Sequence, residues 1–426
     1  MEAKQLIINI ENKEYDDTLV DVYVDESKLE YQRKRYAQTI GKYIENFGND
    51  DVQIYSAPGR SEVGGNHTDH QHGEILAASI NNDAIAIVSK TEESVVRVAS
   101  AEYGLIEVDL ACLAMAEEEK GTTISLIKGV LHKIVENGHK IGGFNAYITS
   151  DVLIGAGLSS SAAYETLIGT IASGLYNNMD IDAVEIAIIG QFAENVYFGK
   201  PCGLMDQMAC SVGNLVHVDF ADPMKPVVEK VELDLNKHGY SLCITDTKGS
   251  HADLTGDYAA VPAEMKSVAA YFGKDVLLGL SMEDILNNIA DIRAKVGDRG
   301  VLRALHFICE NERVRKEVDS LKSEDIDRFL QLVTESGNSS YKYLQNVYTN
   351  SDVQHQNVSI ALAISDNYLG KEGACRVHGG GFAGTIQAFV KNSAVAEYKK
   401  LMDSVFGEGA CSVLKIRKYG GMRVIG

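Results

Sequence analysis

Gly155-Ala156-Gly157-Leu158-Ser159-Ser160-Ser161-Ala162 joins a strand-like pattern to a helical one within GGFNAYITSDVLIGAGLSSSAAYETLIGTIASGLY, residues 142–176. Glycines let a backbone turn tightly and approach a ligand closely. Serines favour helix starts, and first-turn N–H groups together with the helix dipole attract phosphate. The adjacent hydroxyls could donate to phosphate oxygens or ligate Mg²⁺, a hard cation that takes oxygen ligands. Taken alone, the loop also reads as an ordinary strand–turn–helix with a serine cap. It is not a Walker loop, because no G-x-x-x-x-G-K-[ST] string occurs, and no G-x-S-x-G elbow surrounds the serines.

Outward from this loop, strands and helices mix without the strict alternation of a doubly wound sheet, so the class expected is α+β. VQIYSAPGR (52–60) reads as a strand entering a loop at Pro58 and Gly59. AIAIVSK (84–90) and SVVRVAS (94–100) read as strands. ISLIKGVLHKIVENG (124–138) places Ile124, Ile127, Leu131 and Ile134 near a 3.6 period, with Gly138 as its stop. AVEIAIIGQFAENVYFG (183–199) and SEDIDRFLQLVTESGNSSYKYLQ (323–345) read as helices, and ACRVHGGGFAGTIQAFV (374–390) as strand, glycine loop, strand. A charged stretch, VEKVELDLNKHG (228–239), precedes the strand YSLCITDTKG (240–249) and divides the chain into expected domains 1–235 and 236–426. A prior of about 150 residues per domain accommodates that division.

Composition narrows the function. The net charge of −20 argues against broad nucleic-acid or anionic-membrane binding, which need basic patches. The 7 cysteines are scattered without a C-x-x-C pair, which fits free thiols in a reducing cytoplasm. The N-terminus lacks the apolar core of a signal peptide, and no apolar run approaches the roughly 20 residues of a membrane span. Nothing points to an obligate protein partner.

After the first strand, Arg60-Ser61-Glu62-Val63-Gly64-Gly65-Asn66-His67-Thr68-Asp69-His70 gathers the donors and acceptors that a polyhydroxylated ligand needs. A zinc reading of His67, His70 and His72 is also conceivable, but no Cys partner or second His cluster supports it. The full stretch APGRSEVGGNHTDHQHGEILAASI (57–80) resembles the signature of the galactokinase family of GHMP kinases, whose usual form is G-R-x-N-x-I-G-E-H-T-D-Y-x-x-G. IGAGLSSSAA (154–163) resembles that family's ATP loop, AENVYFGKPCGLMDQMACSVG (193–213) its catalytic-Asp segment, and HGGGFAGTIQAFV (378–390) its third, glycine-rich motif. The matches lie in family order.

The resemblance implies an N-terminal ribosomal-S5-like domain, a C-terminal ferredoxin-like domain and an active site in the cleft between them. It implies ATP-dependent phosphorylation of the anomeric hydroxyl of galactose. Other readings are a GHMP kinase for N-acetylgalactosamine, arabinose or a deoxysugar, and a non-catalytic sugar sensor. By position, Asp206 would be the catalytic base and Arg60 its cationic neighbour. Ser161 and Glu194 would hold Mg²⁺, and Gly155, Ala156, Gly157, Leu158, Ser159, Ser160 and Ser161 would wrap the triphosphate. Asn66, His67, Asp69, Gly203 and Tyr258 would face the sugar, Tyr258 through the loop DTKGSHADLTGDY (246–258). Gly379, Gly380 and Gly381 would form a tight turn packing under the ATP loop. The chain departs from the family pattern in having Asn66 for Glu, Glu62 for Asn, His70 for Tyr, Leu153 in a loop without its usual Pro, and Val377-His378 for Met-Thr. The arginines that often follow the Tyr258 position are also missing.

Overall fold

A computed structural model describes residues 1–152, 157–249 and 254–426. Gly155 and Ala156 of the expected ATP loop lie outside the described residues. The strands are β1 (Gln53–Gly64), β2 (Glu74–Lys90), β3 (Val95–Ser100), β4 (Gly104–Asp109), β5 (Phe144–Ser150), β6 (Leu215–Asp219), β7 (Val227–Val231), β8 (Tyr240–Asp246), β9 (Ala374–His378), β10 (Thr385–Lys391), β11 (Cys411–Leu414) and β12 (Met422–Ile425). One sheet runs β12-β1-β2-β5-β3-β4, with β6 and β7 extending the other half of β2; a second runs β11-β8-β10-β9. The chain changes sheet between Val231 and Tyr240, and β12 crosses back to pair with β1.

β1 and β2 do not alternate polar with apolar residues, because both faces of their sheet are covered. On one face Ile54, Ile85 and Ile87 meet Tyr36, Ile40 and Tyr43 of the helix Leu29–Phe47. On the other, Ala57, Ala86 and Phe144 meet Ile127, Leu131, Leu167 and Ile171 of the helices Thr123–Glu136 and Ser160–Tyr176. A further core joins the two sheets, with Leu76, Leu158 and Ala162 packed among Leu242, Phe329 and Phe389. Asp83 is fully buried and accepts from Arg35 (2.6 Å), Tyr23 (2.9 Å), Arg417 (3.0 Å) and Ser56. It thereby ties an N-terminal helix to the C-terminal segment.

Two local readings are corrected. The chain does not leave β1 at Pro58; the strand continues to Gly64 through a register shift between Pro58 and Arg60. A bulge tolerates a proline within a strand, and a Cβ on Gly59 would stand 2.8 Å from the carbonyl oxygen of Leu158, so only glycine fits there. The helix read over 183–199 is α-helical only over Ala183–Phe192; Ala193–Phe198 is a π-turn closed by left-handed Gly199 (φ 83°). Among the described residues, no helix is long and apolar enough to cross a membrane.

Candidate active site

The end of β1, the turn after it, the start of the helix Met205–Val212 and the glycine loop between β9 and β10 surround a cavity of about 230 Å³. Arg60, Glu62, Asn66, His67, Asp69, His70, Lys200, Cys202, Gly203 and Asp206 contribute to its wall, together with Gly379 and Gly380.

Asp206 stands in the first turn of its helix, not at the cap, which is Leu204. Its Oδ1 accepts from Arg60 Nε at 2.6 Å and its Oδ2 from Ser159 Oγ at 2.5 Å. Burial works to raise its pKa, yet the Arg60 guanidinium and the Ser159 hydroxyl hold it below the ordinary carboxylate range. The side chain keeps 33% of its surface open, so an ionised carboxylate faces the cavity. Arg60 is fixed on its other side by Gly157 O at 2.6 Å. Gly157 is left-handed (φ 69°), and a Cβ there would stand 2.6 Å from Thr385 Oγ1.

The serines do not cap their helix. Ser159 adopts φ 60° and makes no cap bond; its hydroxyl goes to Asp206 instead. Ser161 Oγ donates to Glu194 Oε1 at 3.0 Å, and Glu194 is carried on the π-turn. Gln207 Nε2 donates to Glu194 Oε2 at 2.9 Å and to the buried Glu165 at 3.0 Å. Ser160 begins the helix, and Leu158 is buried in the core between the sheets, so its side chain serves packing.

On the opposite wall Asn66 is fully buried and wholly engaged. Its Nδ2 donates to Glu62 Oε1 (2.9 Å) and Gly379 O (2.8 Å), while its Oδ1 accepts from Asn346 (2.7 Å) and Ser340 (3.2 Å). An amide has two donors and two acceptor sites, so none remains for a ligand. Glu62 also takes Arg376 on Oε1 at 2.7 Å, and its Oε2 receives no hydrogen bond among the described residues. Burial pushes its carboxyl up to about 7, against the pull of Arg376 and Arg60. His67 is pulled down to about 4 by burial and by neighbouring His70, so it is neutral at pH 7. Its Nε2 meets Gly380 O at 3.2 Å. Gly203 lies against Asp69 so closely that a Cβ would overlap the carboxylate. Tyr258 does not line the cavity; its hydroxyl donates to Gly381 O at 2.8 Å behind the glycine turn. The carbonyls of Gly379, Gly380 and Gly381 thus meet Asn66, His67 and Tyr258, while Thr385 and His378 lie beside Gly157. Among the described residues, no group of three or more His, Cys, Asp or Glu that could hold a metal ion forms.

Glu62 and Lys200 were not singled out from sequence. The available signal was the exchange of Asn and Glu between positions 62 and 66; for Lys200 there was none, because the turn that follows the π-turn and brings it over Glu194 has no sequence period of its own.

This fold, with a serine–glycine loop entering a helix beside an Arg–Asp pair, defines a small-molecule kinase of the GHMP class. Residues 125–214 match the GHMP kinases N terminal domain, and residues 41–90 match the galactokinase galactose-binding signature. A galactokinase of Actinobacillus pleuropneumoniae serotype 5b is 30% identical over 363 residues, covering 85% of this chain and 91% of that protein. One from Streptomyces coelicolor is 30% identical over 373 residues, covering 87% and 93%. The crystal structure of Lactococcus lactis galactokinase complexed with galactose superposes with a TM-score of 0.77 at 25% identity, over 92% of this chain and 100% of that one. The chain belongs to the galactokinase family.

Proposed function

We propose that the protein transfers the γ-phosphoryl group of ATP to the anomeric hydroxyl of galactose, giving galactose 1-phosphate and ADP. The observation that carries this reading is the Arg60–Asp206 pair, a cation and an ionised carboxylate 2.6 Å apart at the wall of a sugar-sized cavity lined mostly by polar and charged residues. Phosphoryl transfer asks a protein for positioning and charge neutralisation more than for covalent chemistry. Asp206 accepts the proton of the attacking hydroxyl through the oxygen now held by Ser159, and Arg60 keeps that carboxylate ionised and able to accept. Ser159, Ser160 and Ser161, with the N–H groups of Gly155 to Leu158, wrap the triphosphate at the helix start. His67, Asp69 and Gly203 present the sugar side, Asn66 forms its rigid wall, and Tyr258 supports it from behind the glycine turn.

Ser161 Oγ and the Glu194 carboxylate, 3.0 Å apart, form a hard-oxygen pair suited to Mg²⁺, and the ammonium of Lys200 already stands 2.8 Å from Glu194 Oε1. Bound there, Mg²⁺ would neutralise charge on the phosphate oxygens. The division into domains 1–235 and 236–426 and a cytoplasmic setting belong to the same proposal; the seven free thiols support the latter.

The test is a panel of hexoses, pentoses and deoxysugars with ATP in a coupled ADP assay, with product identified by phosphorus NMR. Galactose is expected to give the highest kcat/KM and a single C1 phosphate. ADP release favouring another sugar, or binding without ADP release, overturns the reading.

A further inference from the structure

Two carboxylates stand at the proposed transfer site, Asp206 on the cavity wall and Glu194 buried beneath Lys200, and each has its own cation. Asp206 has Arg60, which is buried and clamped at both ends, by Asp206 and by Gly157 O. Glu194 is 3% exposed and accepts from the neutral groups Ser161, Gln207 and Cys202; its cation is Lys200, at 2.8 Å. Unlike Arg60, the Lys200 side chain is 61% exposed, and among the described residues its ammonium pairs with Glu194 alone, at the end of a flexible four-carbon stem. The backbone puts it there: after the π-turn that bears Glu194, left-handed Gly199 reverses the chain, and the Lys200 N–H closes on Glu194 O at 3.1 Å. The lysine therefore returns over the acid six residues earlier while also lining the cavity wall beside Asp206.

We propose that Lys200 is a mobile second cation of the transfer site, which neutralises Glu194 before metal and nucleotide arrive and then passes to the oxygens of the transferring phosphoryl group. This rests on the kinase reading above and on the pairing of Ser161 with Glu194 as metal ligands. The ammonium stands on the carboxylate oxygen that a divalent cation would take, so it must yield when that cation binds. It shares the cavity wall with Asp206 and lies near enough to help hold that carboxyl's pKa down, so an incoming phosphate beside Asp206 offers it a second anionic partner. No bond is made or broken by the lysine; it exchanges one anionic partner for another.

The two halves of the proposal predict opposite effects of one substitution. Lys200→Met removes a competitor for Glu194, so Mn²⁺ titrated into the full-length protein without nucleotide and followed by electron paramagnetic resonance should bind about tenfold tighter. The same variant loses a charged donor to the phosphate, so kcat at saturating ATP and galactose should fall about 10–100-fold, while the KM for galactose stays within about twofold of wild type. Lys200→Arg, which keeps the charge, should recover most of the turnover. A merely structural ion pair would loosen Glu194 and weaken Mn²⁺ binding. Unchanged or weaker Mn²⁺ binding in Lys200→Met, or an unchanged kcat, overturns the proposal. Glu194→Gln separates this from failure of the metal reading beneath it: undiminished Mn²⁺ binding in that variant removes Glu194 as a ligand whatever Lys200 does.

Discussion

Asn66→Glu restores the residue usual in the family and, from sequence alone, would be expected to act on sugar preference. The structure predicts a cost in stability first. Glutamate has no N–H to replace the bonds that Asn66 Nδ2 gives to Glu62 Oε1 at 2.9 Å and Gly379 O at 2.8 Å. A buried acceptor left without its donor costs about 1–3 kcal/mol; Gly379 O is stranded, while Glu62 Oε1 keeps its bond from Arg376. The new carboxyl also lies against Glu62, whose side chain is already buried; an uncompensated buried charge costs about 3–5 kcal/mol unless it takes up a proton. The sum is on the order of 5 kcal/mol, comparable with the low end of the total stability of a folded protein, about 5–15 kcal/mol. In a chain of this size that lowers the thermal midpoint by roughly 5–10 °C. The assay is far-UV circular dichroism during heating, since the chain has no Trp to report by fluorescence. The double variant Glu62→Asn/Asn66→Glu puts one amide and one acid back in contact, so it should be more stable than the sum of its single changes by about 1–3 kcal/mol. A midpoint for Asn66→Glu within 1–2 °C of wild type (roughly the span of 1 kcal/mol), or strict additivity in the double variant, would refute the hydrogen-bond accounting at position 66.

Other perturbations probe the chemistry and the buried charge. Asp206→Asn should lower kcat about 100-fold or more while calorimetry shows ATP binding retained; near-normal turnover would remove Asp206 as the base. Arg60→Met takes away the main attraction that offsets burial of Asp206. The acid limb of kcat/KM should then move to higher pH, and an unmoved limb would show that Arg60 does not set the ionisation of Asp206. Glu317 is buried, with no hydrogen bond to either carboxylate oxygen among the described residues, and burial with neighbouring Glu310 raises its pKa well above the ordinary value. Because the folded protein holds that proton longer than the unfolded chain, stability declines as pH rises above the ordinary glutamate pKa toward the folded one. Glu317→Gln should therefore raise the unfolding midpoint more at pH 8 than at pH 5, and an equal shift at both would contradict the assignment.

Much of this was legible because it is local. The apolar period of 124–138 is the helix Thr123–Glu136, with Gly138 just past its end at φ 89°. The chain segments 84–90 and 94–100 lie in β2 and β3 as their alternation and β-branched content suggest. What escaped has specific causes. Pro58-Gly59 has turn chemistry, yet tertiary packing against Leu158 uses it for a bulge inside β1. A π-turn continues the apolar period of the helix before it, so nothing in 193–198 announces one. The pairing of β12 with β1 joins residues at opposite ends of the chain, and no local pattern encodes such a partner. In the site, motif order brought Arg60, Asp206, Ser161 and Glu194 into view, but which side chains are open to a ligand depends on hydrogen-bond saturation, as at Asn66, and that is a property of the fold.

The exchange of Asn and Glu between positions 62 and 66 then has a physical reading. The two positions are adjacent in space, and one donates to the other at 2.9 Å. A contact between one amide and one carboxylate survives the exchange, which explains how a departure at two motif positions is accommodated without loss of the surrounding turn. What changes is which of them carries the acid. Here it is on β1, where Arg376 from β9 and the Glu62 N–H bond to His378 tie the first sheet to the second. Arg376 also donates to Val63 O at 2.7 Å, so a single buried arginine fixes both the acid and the strand end that leads into the sugar-side turn. The Glu62 carboxylate on the cavity wall is thus also one of the contacts that join the two sheets. A sugar hydroxyl donating to Glu62 Oε2 would be felt directly by the contact that holds the two sheets in register.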